Sequence, residues 1–324
     1  MLEKMISQPL VTVAIPTYQR KHLLKRAVES VLGQSYRRIQ LVISDNASND
    51  GTQEYLASLS DERILLLLSQ KNEGMVVNWD RCVQAAAGEF FLLLSDDDAF
   101  LDSDALEKMV STFMSTPTCP PGFVFSDVCL ERPVTIVHEA TRGELEVYTA
   151  SEIITHCFEN RVSIFPCATL LRRQDIVTLG GYGSFGATLA VDACVWISLA
   201  LKYGRVARVD GCLSLYRIHQ SLSSSSINVW DDDYEVMENI IAMASPSPLS
   251  TNEMKRILRS IRKSRARLPV SHISNKLKYD SSYGVVDFCR DVVRWRKLLF
   301  LPSNLWLVFD RVKKNFFANL SAVA

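Results

Sequence analysis

The chain has 324 residues, 48% of them hydrophobic, with 36 basic and 36 acidic side chains and no formal net charge. This composition excludes a disordered or fibrous chain, and without a run of 18 apolar residues no membrane-spanning helix is expected. The neutral total hides an asymmetry, because residues 253–324 hold 16 Lys and Arg against 5 Asp and Glu and the body is correspondingly acidic.

In chain order, strand-like runs "LVTVAI" (10–15), "IQLVIS" (39–44), "RILLLL" (63–68) and "EFFLLL" (89–94) alternate with helix-like stretches near 21–33, 52–59 and 75–87. Strand and helix taking turns at these lengths predict βαβ units: an α/β fold, with a mostly parallel sheet and helices on both faces. A helix over 102–114 follows, then short β-like pieces from 123 to about 148 and mixed elements to about 221. Next come a serine run (221–226) and a basic helical region. No apolar leader precedes the first strand, so no signal peptide is expected. The eight cysteines are scattered without a CxxC spacing, which argues against a zinc site and for reduced thiols in a cytoplasmic protein.

Ligands of such sheets bind beyond the carboxyl ends of the strands, where the loops "PTYQR", "DNASNDGT" and "SDDDAF" all fall. In the last of these, three carboxylates follow a run long and apolar enough to be a strand buried on both faces. Adjacent carboxylates at the edge of a core repel one another and resist desolvation, so a positive partner is required. Mg2+ or Mn2+, which prefer oxygen ligands and share their shell with substrate phosphates, would serve. Asp96 and Asp98 would point the same way if the segment is extended. The structural alternative has one Asp capping the next helix and the others solvated.

The loop after the first strand has no glycine, so neither a dehydrogenase-type dinucleotide fold nor a Walker A loop is present. Instead "VTVAIPTYQRKHLLKRAVESVLGQSY", "LVISDNASNDGT" and "NEGMVVNWDRCVQAAAGEFFLLLSDDDAF", in this order and spacing, resemble the family 2 glycosyltransferases of GT-A fold, over roughly residues 11–223. The resemblance implies a catalytic domain at 1–225, with a nucleotide-sugar half to about 120 and an acceptor half beyond, and a helical basic region at 226–324. It implies that Pro16, Thr17 and Tyr18 contact base and ribose, and that Asp45 hydrogen-bonds the base. An ionised Asp is acceptor-only, which favours UDP or dTDP over a cytidine donor; its structural alternative is a turn residue. The triple aspartate matches the family's DxD motif, which ties a divalent metal to the donor diphosphate. Relatives often have Asp where Ser95 stands, so Asp96 with Asp98 is the expected pair and Asp97 the alternative.

Further on, "FGATLAVDACVWISLALKYGRVARVDGCLSLYRIHQS" resembles the family's acceptor half. The matching general base is Asp192, preceded by Val191 where relatives carry an acid; the alternative is a cap on a helix at 193–202. Arg217 and His219 in "YRIH" are implied near diphosphate and metal. Gly180, Gly181 and Tyr182 match a turn ahead of the acceptor site, and Asn72, Gly74, Asn78 and Trp79 match the segment after the third strand. The implied activity is inverting transfer from a nucleotide-sugar to a hydroxyl of a glycan or lipid-linked acceptor, as in bacterial polysaccharide and O-antigen synthesis. A noncatalytic scaffold and a sugar nucleotidyltransferase are the alternatives. Met254, Ile257, Leu258 and Ile261 recur at helical spacing among basic residues, and aromatic and basic residues mix over 294–317. Both patterns suit a helix on an anionic membrane surface, a packed helical subdomain being the alternative; nucleic acid is not an expected partner.

Overall fold

The computed structural model describes residues 8–131, 139–140, 146–218, 227–244, 249–279, 288–293 and 295. Strands β1 (Val11–Thr17), β2 (Ile39–Asp45), β3 (Ile64–Leu68) and β4 (Phe90–Leu93) lie parallel in the order 3-2-1-4. Helices α1 (Lys21–Leu32), α2 (Thr52–Ala57) and α3 (Met75–Ala85) connect them. Alternation along each strand feeds two cores: Val11, Val13 and Ile15 meet Leu24, Ala27, Val28 and Val31 of α1, whereas Ala14 faces Cys82 and Val83 of α3. Phe90 and Leu92 divide from Phe91 and Leu93 in the same way, so the strand run preceding the aspartates is buried on both faces.

The second half is mixed. After β5 (Ala99–Phe100) and α4 (Ala105–Met114) come β6 (Phe123–Glu131), β7 (Glu139–Ala140), β8 (Val147–Thr149) and α5 (Ala150–Phe158). Then follow β9 (Thr169–Arg172), α6 (Arg173–Thr178), α7 (Val191–Tyr203) and β10 (Arg205–Arg217). Here β9 runs antiparallel between β4 and β6, while β10 is parallel to β6 and antiparallel to β5 and β8. Parallel pairing therefore holds over the first four strands and breaks at β9, a four-residue strand that joins the two halves of one sheet.

Helices α8 (Ile227–Met243) and α9 (Thr251–Tyr279) close one face. Ile257 and Ile261 of α9 are fully buried and join Met237 and Ile241 of α8 in the core shared with α5 and α7. Beside this stripe, still facing α8, Arg265 pairs with Asp231 at 2.6 Å and Arg262 with Glu238 at 3.2 Å. This corrects the membrane-surface expectation for this helix: its apolar stripe is spent on the body, because α8 offers both an apolar face and acidic partners. Among the described residues no helix is long and apolar enough to cross a membrane. The aromatic and basic residues 296–317 lie outside the described residues, as do His219 and the serine run.

One carboxylate fixes α7 from below. Asp233 of α8, 1% exposed, accepts hydrogen bonds from the backbone N–H groups of Thr188, Leu189 and Ala190 at 2.8, 2.7 and 2.8 Å. These groups lead into α7, whose start they anchor. Asp233→Ala leaves three donors without their acceptor and is expected to cost roughly 3 kcal/mol of unfolding free energy. Urea denaturation of the full chain measures it.

Candidate active site

The loop after β1 and the loop after β2 are knitted together at the carboxyl edge of the sheet. Thr17 and Asp45 are register partners, Asn46 donates its N–H to the Thr17 carbonyl at 3.0 Å, and Gln19, at a φ of 58°, donates its N–H to Ser48 Oγ at 2.8 Å. Asp45 is fully buried and accepts from the Ser48 N–H at 3.1 Å and from Gln53 Nε2 at 3.0 Å. The turn role anticipated for it is therefore present. Tyr18, by contrast, is exposed, and Pro16 lies within β1. Behind this rim, Asn46 Nδ2 reaches Asn72, and Asn78 exchanges hydrogen bonds with Ser44 in β2. These asparagines hold the loops in place.

The triple aspartate is a tight turn and not the extended segment expected from its sequence. The Asp98 N–H donates to the Ser95 carbonyl at 3.1 Å, which places Asp96 and Asp97 at the tip and returns Asp98 into the sheet. The tip residues share a cation: one guanidinium nitrogen of Arg20 lies 3.1 Å from Asp96 Oδ1 and 2.8 Å from Asp97 Oδ2. Thr17 donates its hydroxyl to Asp96 Oδ2 at 2.7 Å, joining the β1 loop to the turn. Asp98 faces elsewhere. Its Oδ1 accepts the Arg217 N–H at 3.0 Å, and its buried Oδ2 has no hydrogen-bond partner. Asp96 and Asp98, two apart, are thus engaged by different groups, and the pair that shares one cation is Asp96 with Asp97.

Burial sets the acidity of these groups. It pushes Asp96 up to about 6 although Arg20 opposes the shift, and it raises Asp98 further, with the charge of Asp97 adding to the effect. Arg217 does not extend into the turn. Its side chain binds Glu131 at 2.9 Å, and Arg26 of α1 binds the same carboxylate at 2.9 Å, which holds Glu131 below its ordinary value.

Asp192 sits in the first turn of α7, with Ala190 at the cap position. Its Oδ1 accepts the first-turn Ala193 N–H at 2.8 Å, a helix-terminus contact of the kind the cap alternative describes, while the N–H groups before the helix go to Asp233. Burial raises Asp192 to about 6. It borders a cavity of about 340 Å3 between α5, α7, α8 and α9. Burial raises the Tyr216 hydroxyl, and the charges of Asp98, Cys167, Asp97 and Asp192 add to the shift. The Gly180–Gly181–Tyr182 turn is held by Asp80 of α3, which accepts from the Tyr182 and Gly183 N–H groups at 2.6 and 3.0 Å. Gly181, at a φ of 86°, leaves room for this carboxylate: a Cβ there would lie 2.5 Å from Asp80 Oδ1. Sequence reasoning missed Arg20, Asp80 and Asp233. Only Arg20 carried a local signal, a basic residue in the first polar loop.

Among the described residues no group of three or more Asp, Glu, His or Cys side chains is arranged to hold a metal ion. Two carboxylates around one positive charge are nevertheless what an ion that arrives with a diphosphate requires, since Mg2+ in such sites takes one or two carboxylates and completes its shell from phosphate and water.

A family model described as Glycosyl transferase family 2 matches residues 12–177. TuaG of Bacillus subtilis (strain 168), named for teichuronic acid biosynthesis, is 28% identical over 221 residues, covering 67% of this chain and 83% of that protein. The Escherichia coli UDP-Glc:alpha-D-GlcNAc-diphosphoundecaprenol beta-1,3-glucosyltransferase WfgD is 25% identical over 240 residues, covering 72% and 88%. The fold is similar to that of Staphylococcus aureus TarS 1–349 solved in complex with UDP, with a TM-score of 0.63 at 14% identity over 89% of this chain and 90% of the other. The family match takes in half of the chain, from β1 into α6, with the two knitted loops and the aspartate turn inside it. The chain belongs to glycosyl transferase family 2.

Proposed function

We propose that this glycosyltransferase moves a sugar, with inversion, from a uridine diphosphate sugar to a hydroxyl of a lipid-linked glycan in the synthesis of a bacterial surface polysaccharide. The observation that supports the reading is the 2.7 Å hydrogen bond from Thr17 to Asp96, which joins the loop after β1 to the carboxylate turn at one rim. The printed names of the relatives support the substrate classes: UDP-Glc and a diphosphoundecaprenol acceptor for WfgD, and UDP for the TarS complex.

In this reading Pro16, Thr17, Tyr18 and Asp45 receive the nucleoside, Asp45 accepting from the ring N–H of uracil. Thymine of a dTDP-sugar presents the same N–H. Asp96 and Asp97 are the carboxylates that would hold Mn2+ or Mg2+, and Asp98 is turned away from them. Such an ion acts as a Lewis acid that neutralises the departing diphosphate. Arg20 keeps the turn charge-balanced and offers its guanidinium to the phosphates once Asp96 and Asp97 are otherwise occupied. Arg217 orders Asp98 through its backbone N–H, and the family pattern assigns Arg217 and His219 to the diphosphate and metal. Asp192 takes the proton from the acceptor hydroxyl as that oxygen attacks the anomeric carbon from the face opposite the diphosphate. Its raised pKa suits the task, since a base that titrates nearer to neutrality holds the abstracted proton better.

Calorimetric titration with UDP and Mn2+ is expected to show binding that EDTA abolishes and Asp97→Ala weakens at least about tenfold. Binding unaffected by EDTA would remove the metal from the reading. Asp192 must be unprotonated to act, so kcat/KM should rise with pH through about 6 and level off above it. Asp192→Asn should lower kcat by about 10²- to 10⁴-fold with UDP binding retained.

A further inference from the structure

Arg20 stands between the two carboxylates on which a divalent ion would depend. Its Nη1 lies 3.1 Å from Asp96 Oδ1 and 2.8 Å from Asp97 Oδ2, and the other oxygen of Asp96 accepts the Thr17 hydroxyl. Both oxygens of Asp96 are thus taken. The rest of the guanidinium is in a different state: Nη2 and Nε have no protein partner among the described residues, and the side chain is 38% exposed. Arg26, the neighbouring cation, is fully committed, since its two terminal nitrogens bind Glu131 and one of them also reaches the Asp97 carbonyl. Arg20 alone of the two combines a nitrogen held by the turn with donors that have nothing to bind.

A guanidinium and a divalent ion compete for this place. Mg2+ binds its oxygens at about 2.1 Å, so an ion on the same two oxygens would stand within about 5 Å of the like charge on Nη1. The guanidinium can leave without any movement of the backbone. The Arg20 carbonyl is fixed at the start of α1 by the N–H groups of Leu23 and Leu24, at 2.9 and 3.1 Å, and the partly exposed stem swings as a side chain. What the guanidinium needs is another anion. Water replaces two carboxylates poorly, whereas a diphosphate offers oxygens that match the planar fork. We infer that Arg20 is an interlock on the cation site: it closes Asp96 and Asp97 to a free divalent ion and releases them when a diphosphate takes its guanidinium, so that ion and nucleotide enter together. This role rests on the reading of the turn as the cation and diphosphate site, and it adds a property which that reading lacks: without Arg20, the turn binds the bare ion better.

Electron paramagnetic resonance follows Mn2+ binding to the full chain, bare and in the presence of UDP, at about pH 8 so that Asp96 is ionised. Arg20→Met and Arg20→Gln, which remove the charge, should bind bare Mn2+ at least about tenfold more tightly than the unaltered protein does, and the factor by which UDP raises Mn2+ affinity should fall to a similar extent. Arg20→Lys, which keeps a charge, should still exclude the bare ion. Damage to the turn would weaken the binding of bare Mn2+, so a gain separates an interlock from a structural role. In crystals of the unaltered protein, anomalous scattering should find Mn2+ at the turn after soaking with UDP and not after soaking with Mn2+ alone. That measurement holds even if the uncharged variants do not fold. Equal or weaker binding of bare Mn2+ by the folded uncharged variants would overturn the inference, as would Mn2+ seated on Asp96 and Asp97 without UDP. Absence of Mn2+ binding in every protein, even with UDP, would remove the cation reading itself and the interlock with it, so the two failures are distinguishable.

Discussion

Three adjacent carboxylates at the end of a buried strand are the constraint around which the rest of the site is arranged. Asp96, Asp97 and Asp98 are 4%, 5% and 1% exposed, so water contributes little to their solvation and the protein must supply the rest. It does so from three directions: a hydroxyl from the end of β1, a guanidinium from the start of α1, and a backbone N–H from the end of β10. These partners come from distant parts of the sequence. Only a sheet that brings β1, β4 and β10 to one rim can provide them, so the electrostatics of the turn and the topology of the sheet are a single requirement. The oxygen of Asp98 that remains unpartnered marks where this solvation is incomplete.

What the sequence disclosed and what it hid divide along physical lines. The four parallel strands and their helices were legible because each carries its own hydrophobic period, and the loops after them were legible because polar residues follow apolar runs. The antiparallel insertion of β9 was not. Thr169–Arg172 is too short to show a period, and strand direction is a property of pairing and not of composition. The local geometry of the aspartates was misjudged for a related reason: spacing within an extended strand predicts Asp96 with Asp98, but a hydrogen bond across four residues turns Asp98 away. Asp192 was singled out by its sequence context, whereas the group that anchors its helix could not be. Asp233 stands in a second run of three aspartates, 231–233, of which Asp231 pairs with Arg265, Asp232 is exposed and Asp233 is buried beneath α7. Nothing local separates those three, because the deciding partners are more than thirty residues away.

The opposite charges of the body and the C-terminal region find part of their explanation in the same place. Arg262 and Arg265 of α9 face Asp231 and Glu238 of α8, so some of the positive charge that read as an address for an anionic surface is used to join two helices. Each exposed pair contributes little. The buried apolar stripe of α9 supplies most of the attachment, and Ser264 of the same helix reaches the wall of the cavity that borders Asp192.

Glu131 at the end of β6 has a mechanical meaning. It accepts Arg26 from α1, the first helix of the chain, and Arg217 from β10, the last strand, while Arg26 also reaches the carbonyl of Asp97. The two halves of the sheet are therefore stapled across the rim that carries the chemistry. Opening one half against the other would have to break the Arg26–Glu131 pair, whereas Arg217 and Glu131 are register partners within the second half and would move together.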